Sequence, residues 1–128
     1  MEKITRYATP TTGRAYPPFS IAVGHAGTLY VSGLGPMLPD GTVPAGFAAQ
    51  FACVIDHMQR VLKDAGTDMT RILKCNVLLT RATDVAEMNR LYAAAFPADN
   101  LPARTTCVVA ALPVPDFLLE IECIAAIG

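Results

Sequence analysis

Three charged residues lie inside apolar runs towards the end of the chain, and their side chains could do chemistry. Arg104 follows Pro102 at the start of one run, and Glu120 and Glu122 interrupt the run that begins at Leu119. Removing a guanidinium or a carboxylate from water costs several kcal/mol unless the charge is paired or put to use. A guanidinium can hold a carboxylate ligand with two parallel hydrogen bonds, and a partly desolvated carboxylate can move protons near neutral pH. These residues are therefore the first candidates for function.

The residues alone leave a structural alternative equally open. In that alternative the last two strands form a hairpin, and Arg104 pairs with Glu120 or Glu122 across it. Because side chains alternate along a strand, the two glutamates fall on the same face, and the sequence does not separate them.

The length and composition indicate a single domain that associates with copies of itself. The chain has 128 residues, which we assign to one domain covering 1–128. Hydrophobic residues make up 52% and charged residues 16%, below the roughly 25% charged residues of an ordinary soluble domain. Because a monomer of this size would expose apolar patches, we expect a closed homo-oligomer.

Charge and hydropathy disfavour two classes of partner. The formal net charge is −1 and no basic cluster stands out, so nucleic-acid binding is not expected. No apolar run approaches the ~20 residues that cross a bilayer, and the N-terminal residues contain no signal-peptide core. We therefore expect no membrane association and a cytoplasmic location.

The cysteines and histidines do not have the spacing of a metal site. The four cysteines are scattered through apolar segments without a C-x-x-C pair, and His25 and His57 are not spaced as ligands to them. We predict four buried thiols and no metal. His25 is predicted to be solvated in a turn, and His57 to lie on the polar side of a helix.

Apolar periodicity and turn residues predict the order strands, helix, strand, helix, strands. Helical spacing from residue 46 predicts the first helix, with Gly66 as its C-terminal cap. Asp84, followed three residues later by Glu87, predicts a capping box at the second helix, which Pro97 ends. The strands are predicted near the N-terminus and at 19–23, 28–32, 72–79, 104–112 and 117–126. This order predicts an α+β fold, a mixed sheet with two helices packed on one face.

The order of motifs resembles the YjgF/YER057c/UK114 family, also called the RidA family. The resemblance covers almost the whole chain, and its most specific parts are Pro102-Ala103-Arg104 and Glu120-Ile121-Glu122. The other matching segments are Pro18-Phe19, Tyr30 to Gly33, Ala48 to Gln50, Val61 to Gly66, Met88 to Tyr92 and Ala111 to Pro113.

The resemblance implies a chorismate-mutase-like subunit with a six-stranded sheet, assembled as a homotrimer with ligand clefts between neighbouring subunits. Enzymes of the RidA type hydrolyse reactive enamines and imines, such as 2-aminoacrylate, to a 2-keto acid and ammonia without a metal or organic cofactor. Arg104 then binds the carboxylate of a 2-imino acid, and Glu120, at the family's acidic position, positions and activates water. Glu122 is left with a structural or interface role.

Further residues match the family's ligand-binding positions or depart from them. Ser32 and Gly33 match the serine and glycine at the end of a strand, where they contact a ligand or merely form a turn. Asn89 matches a helix asparagine, for which we favour a supporting role. The departures are Phe19 for a common tyrosine, Leu34 for a polar residue and Thr106 for a common cysteine, with Cys107 one position later on the opposite face.

We therefore predict hydrolytic deamination of small 2-imino carboxylates. A non-catalytic trimer that binds a metabolite carboxylate remains an alternative, as does deamination of a larger 2-amino acid such as 2-aminomuconate. An RNA-cleaving role within such families is disfavoured by the near-neutral charge.

Overall fold

The computed structural model describes residues 1–10 and 17–128 and is an α+β fold built on one mixed sheet. The described residues form six strands and two α-helices. In chain order these are β1 (Thr5–Tyr7), β2 (Ala22–His25), β3 (Thr28–Leu34), α1 (Phe47–Asp64), β4 (Ile72–Leu79), α2 (Val85–Ala95), β5 (Ala103–Val108) and β6 (Leu119–Ala126). No helix among these residues is both long and apolar enough to cross a membrane.

The sheet order is β1-β2-β3-β6-β4-β5, and this order corrects one prediction. β5 and β6 do not form a hairpin, because β4 lies between them, parallel to β5 and antiparallel to β6. Helix α2 carries the chain from β4 to the parallel β5, and the loop of residues 109–118 then crosses back to the other side of β4. A parallel neighbour needs such a crossover, which strand order along the chain does not reveal.

Both helices pack on the same face of the sheet. Helix α1 buries the stripe predicted from its spacing, including Phe51, Met58 and Leu62. Gly66, with φ of 78°, follows its last turn. The amides of Thr67 and Gly66 donate to the carbonyls of Leu62 and Lys63 at 2.9 and 3.0 Å, which is a Schellman cap.

The capping box predicted for α2 does not form. The carboxylate of Asp84 accepts two hydrogen bonds from the Arg81 guanidinium, at 2.7 and 3.0 Å, and none from the helix amides. Two charge-assisted hydrogen bonds to a guanidinium are stronger than one hydrogen bond from a helix amide. The Asp84 carboxylate therefore binds Arg81, three residues upstream, instead of capping the helix.

Strand register assigns each side chain of the central strands to the helix-covered face or to the open face. Cys75, Val77 and Leu79 of β4 are buried under the helices, as are their partners Cys123, Ile121 and Leu119 in β6. The alternate residues point to the opposite face, which neither helix covers. In register across the strands, these open-face residues are Tyr30, Ile124 and Lys74; Glu122, Asn76 and Thr105; and Glu120, Leu78 and Cys107.

Candidate functional site

Arg104 and Glu120 lie on opposite faces of the sheet. Arg104 is in register with the buried Cys75 and so points to the helix-covered face, whereas Glu120 is in register with Leu78 on the open face. In addition β4 separates their strands, which places the two strands about 10 Å apart. The pair therefore does not meet within one subunit, and the alternative of a direct Arg104 to Glu120 or Glu122 ion pair is wrong for the same reason.

Side chains of helix α2 contact the guanidinium group of Arg104 and hold it in place. One Nη2–H donates to Oδ1 of Asn89 at 2.7 Å, and Nη1 lies 3.8 Å from the sulfur of Met88. The guanidinium carbon lies 4.8 Å from the centre of the Tyr92 ring. Asn89 occupies one of the five guanidinium N–H groups, which leaves donors for a carboxylate. The placement agrees with the supporting role favoured for Asn89.

The Arg104 side chain lies in an open depression where β5 meets α2. The depression has a volume of about 270 Å³, and its wall is largely apolar, with Leu101, Pro102 and Ala93 beside Tyr92 and Asn89. Leu101 is 60% exposed at the rim. An apolar depression with one cation can bind a small organic acid by its carboxylate.

Glu120 is half-buried beside an irregularity in β3. The register between β3 and β6 shifts between Val31 and Leu34, and Gly33 in that shift lies directly against the Glu120 carboxyl group. A Cβ atom at Gly33 would overlap the carboxylate oxygen and lie 2.9 Å from its carbon. Gly33 is therefore required for the acid to occupy this position, a contact that a turn role alone would not need.

The surroundings of Glu120 favour its protonated form. Desolvation first, and the nearby charge of Glu122 second, raise the pKa of Glu120 above its ordinary value. Glu122 itself accepts a hydrogen bond from Nδ2 of Asn76 at 2.7 Å, in keeping with a structural charge. The two glutamates that the sequence did not separate are thus distinguished by burial and partners.

Ser32 is hydrogen-bonded to the backbone segment that directly follows Phe19. The Ser32 hydroxyl donates to the carbonyl of Ser20 at 2.7 Å, and its amide donates to the carbonyl of Ile21 at 2.9 Å. These bonds fix the segment that carries Phe19, whose side chain is 45% exposed. The Ser32 hydroxyl keeps its lone pairs for a ligand, and Phe19 offers an exposed ring close in sequence to that anchor.

Leu34 is the predicted site residue whose placement argues against a ligand contact. Its side chain is 4% exposed and belongs to the hydrophobic core. It is in register with Ile121 on the helix-covered face, because the register shift between Val31 and Leu34 interrupts the alternation of β3 and puts both of these residues on the same face. We therefore remove Leu34 from the site.

Thr106 and Cys107 point to different faces of β5, as predicted. Thr106 is in register with Val77 on the same face as Arg104, and Cys107 is in register with Leu78 on the face of Glu120. The expectation that Cys107 is buried is wrong for this chain, since β5 is an edge strand and its thiol is exposed; Cys53 is only partly buried. The turn residue His25 is exposed, as predicted. His57 is partly buried, and its Nε2 lies 2.7 Å from the carbonyl oxygen of Met37.

Two residues important for the site were not singled out from the sequence. The sequence assigns no ligand-binding role to Tyr92, although this residue follows Asn89 by three positions and therefore shares its helix face. Gln50 is buried; its amide nitrogen donates to the carbonyls of Pro44 and Asp116 at 3.1 and 3.0 Å, and its oxygen accepts from the Leu118 amide at 2.8 Å. Gln50 thus fixes the loop that leads into Glu120.

Among residues 1–10 and 17–128 no three His, Cys, Asp or Glu side chains are grouped as metal ligands would be. The ionisable groups of the candidate site are one guanidinium on one face of the sheet and one half-buried carboxyl group on the other.

The chain belongs to the Endoribonuclease L-PSP family, the YjgF or RidA family, whose profile matches residues 11–127. It is similar to the rat 2-iminobutanoate/2-iminopropanoate deaminase, at 37% identity over 94% of this chain and 88% of that protein. It is also similar to the mitochondrial protein mmf2 of Schizosaccharomyces pombe, at 34% identity over 85% of this chain and 87% of that protein.

Solved structures of the family have the same fold. The yeast protein YEO7 superposes with a TM-score of 0.88 at 30% identity, covering 98% of this chain and 100% of that one. RidA from an Antarctic Psychrobacter superposes with a TM-score of 0.85 at 32% identity, covering 95% of this chain and 100% of the other. The predicted fold class and family are confirmed.

Proposed function

We propose that this protein hydrolyses small 2-imino acids, and the enamines that tautomerise to them, to 2-keto acids and ammonia. We further propose that it acts as a cytoplasmic homotrimer and without a metal or organic cofactor. The observation that carries the proposal is the Arg104 guanidinium, held by Asn89 and Tyr92 in a depression of otherwise apolar character. The names of relatives such as the rat deaminase support the same chemistry.

Two subunits are needed for one complete site. Arg104 and Glu120 point to opposite faces within a subunit, so a cleft that contains both must combine Arg104 of one copy with Glu120 of another. The uncovered face around Glu120 provides the surface for such contact, because packing a second copy there would bury its exposed side chains, including Tyr30 at 51% exposure. Closed trimers bring two unlike surface patches together at every interface.

Each charged group has a distinct task in this site. Arg104 binds the substrate carboxylate and fixes the position of the imine carbon. The Glu120 carboxylate then takes a proton from water as the water oxygen attacks that carbon. The Glu120 carboxyl group then returns that proton to the nitrogen, which gives a carbinolamine with one hydroxyl and one amino group. In the last step the Glu120 carboxylate takes the hydroxyl proton and passes it to the amino nitrogen, so the carbon–nitrogen bond breaks, ammonia leaves and the carbonyl forms. A raised pKa suits a group that must both accept and donate a proton near neutral pH.

The proposal is tested by supplying the imine as it forms. A pyridoxal-phosphate-dependent serine or threonine dehydratase generates the enamine, and release of the 2-keto acid is followed with and without this protein. We expect acceleration by the parent protein and none by Arg104→Ala. Arg60→Ala is the matched control, since it removes an exposed arginine of α1 that pairs with Asp56 and lies outside the proposed site, and it should retain turnover. Equal rates with Arg104→Ala and parent would contradict the proposal.

A second function, binding of a metabolite carboxylate without turnover, is favoured by one observation. The Arg104 depression is complete within a single subunit, whereas the acid lies elsewhere. A 2-keto acid that raises the melting temperature while no imine hydrolysis is detected would support this function. Turnover of a larger 2-amino acid such as 2-aminomuconate would instead keep the mechanism and change the substrate.

A further inference from the structure

Tyr92 lies directly beneath the Arg104 guanidinium, although its helix position is that of an ordinary core residue. Its side chain is 5% exposed and stacks on Phe96, with ring centres 4.1 Å apart and planes 20° apart. The guanidinium carbon of Arg104 lies 4.8 Å from the centre of the same ring. Tyr92 also lines the depression that Arg104 enters.

The hydroxyl group of Tyr92 does not explain why a tyrosine ring is buried here. Among the described residues its oxygen has no hydrogen-bond partner of normal geometry, and the Cys75 thiol, which it interacts with, is only a weak hydrogen-bonding group. A buried hydroxyl without a good acceptor costs free energy. The ring is therefore the useful part of the side chain at this site.

The face of an aromatic ring attracts a cation and restricts its orientation. A guanidinium within about 6 Å of a ring centre is attracted to the ring, and the attraction is stronger where water is excluded. Asn89 meanwhile holds one Nη2–H through a 2.7 Å hydrogen bond. The Tyr92 ring and the Asn89 amide together restrict both the tilt and the rotation of the guanidinium group, which lines the depression.

We propose that Tyr92 is a positioning residue for substrate binding, acting through Arg104 by holding the guanidinium in the orientation that binds a 2-imino or 2-keto carboxylate with two hydrogen bonds. The inference rests on the proposed carboxylate-binding role of Arg104. It adds that the affinity for the acid depends on the π face of residue 92 and not on its hydroxyl group.

The test measures binding of pyruvate and 2-oxobutanoate by calorimetry, together with kcat and KM for imine hydrolysis. Tyr92→Phe keeps the ring and should bind the acids as the parent does. Tyr92→Leu removes the π face and should raise Kd and KM about three- to tenfold, with a smaller effect on kcat. Tyr7→Leu is a matched control, because it removes a partly buried tyrosine ring that packs on the same core through β1, and it should leave Kd unchanged.

A double-mutant cycle separates positioning from general structural support. If Tyr92 acts through Arg104, Tyr92→Leu causes no further loss of affinity in the Arg104→Ala background, whereas independent structural effects add in both backgrounds. Equal losses in both backgrounds, or no loss in the parent, would overturn this inference. If Arg104→Ala itself leaves Kd unchanged, the carboxylate-binding role fails first, so the two failures are distinguishable.

A second series serves if Tyr92→Leu does not fold. Phenylalanine analogues with increasing ring fluorination at position 92 keep the shape of the side chain while weakening the attraction of the ring for a cation. Kd should rise steadily with the number of fluorine atoms. A flat series would overturn the inference as firmly as an additive cycle.

Discussion

The helix-covered face at β5 and the open face at β6 differ in how far one subunit completes them. At β5, Arg104 already has its hydrogen-bond partner, its aromatic support and its depression. At β6, Glu120 is half-buried beside Gly33 and lies on a surface that neither helix covers. The binding half of the proposed site is thus preformed, whereas the half proposed for proton transfer depends on what packs against the open face.

This difference indicates where changes in the site would act. Substitutions around Arg104 should change the affinity for a carboxylate whatever the state of assembly, because the contacts of Arg104 lie within one subunit. Substitutions around Glu120 should alter turnover, and their effects should depend on assembly. The experiments that follow are arranged from the largest expected effect to the smallest.

Mixing two inactive variants gives the largest expected change. The Arg104→Ala and Glu120→Gln proteins, each expected to be inactive, are unfolded, mixed in equal amounts and refolded together. If the protein is the proposed trimer and a site combines residues of two subunits, about a quarter of the sites in randomly assembled trimers contain both intact residues, and turnover returns. If both residues came from one subunit, no mixed trimer would contain an intact site, and the mixture would stay inactive.

Loss of the acid should reduce turnover much more than binding. Glu120→Gln removes the proton acceptor and should lower kcat by roughly 10²- to 10⁴-fold, the usual contribution of a general acid–base group. Pyruvate affinity should remain close to that of the parent, because Arg104 is untouched. A parallel loss of pyruvate binding would show that Glu120 belongs to the binding half of the site.

Adding a methyl group at position 33 should lower kcat, as Glu120→Gln does, without changing the acid itself. In Gly33→Ala the added Cβ atom overlaps the Glu120 carboxyl group, so the acid must move and kcat should fall by about 10- to 100-fold, as for a displaced catalytic group. The control is Gly66→Ala, whose Cβ meets no atom within 4 Å but lies on a residue with φ of 78°; it strains the backbone far from Glu120, so it should lower the melting temperature and leave kcat unchanged. Unchanged kcat in Gly33→Ala would show that Glu120 need not occupy this position.

Removal of the amide below Arg104 should weaken binding moderately. Asn89→Ala deletes a hydrogen bond to a charged group, which is typically a contribution of about 1.5 to 3 kcal/mol, so Kd for pyruvate should rise about tenfold or more. The open face is unaffected, so kcat at saturating substrate should change little. A fall in kcat with unchanged Kd would contradict the division of the two faces.

The pH dependence of stability gives the smallest effect. Because the pKa of Glu120 is raised by folding, the folded state holds its proton more tightly than the unfolded state. Stability from this group is therefore fully present below its ordinary pKa and is lost as the pH rises through the raised value. Glu120→Gln should consequently raise the melting temperature of the protein by a few degrees at pH 7 and not at pH 4. An equal shift at both values would remove ionisation as the cause.

Much of the fold was predictable because local patterns determine it. The spacing of Phe51, Met58 and Leu62 defined α1, and Gly66 marked its end. Alternation along the last strand correctly placed Glu120 and Glu122 on the same face of the sheet. The failed capping box at Asp84 shows the limit of such patterns, because Arg81 competes for the carboxylate through a contact that depends on the actual loop conformation.

The arrangement of the site was less predictable because it depends on strand order. Neighbouring segments suggested that Arg104 and Glu120 face each other in a hairpin, but β4 intervenes and the two side chains diverge. The placement of Leu34 depended on an irregularity at Gly33 that no sequence period reveals. The chemical groups could be named from the sequence, whereas their faces could be assigned only from register.

The position of β6 also has a consequence during synthesis. It follows the other strands in the described chain, yet it pairs with β3 on one side and β4 on the other. Without β6, the facing edges of β3 and β4 have no strand partner between them, and unpaired strand edges are prone to pair with other chains. We therefore expect chains stalled before residue 119 to depend on chaperones, and the acid to join the protein only in the step that closes the sheet.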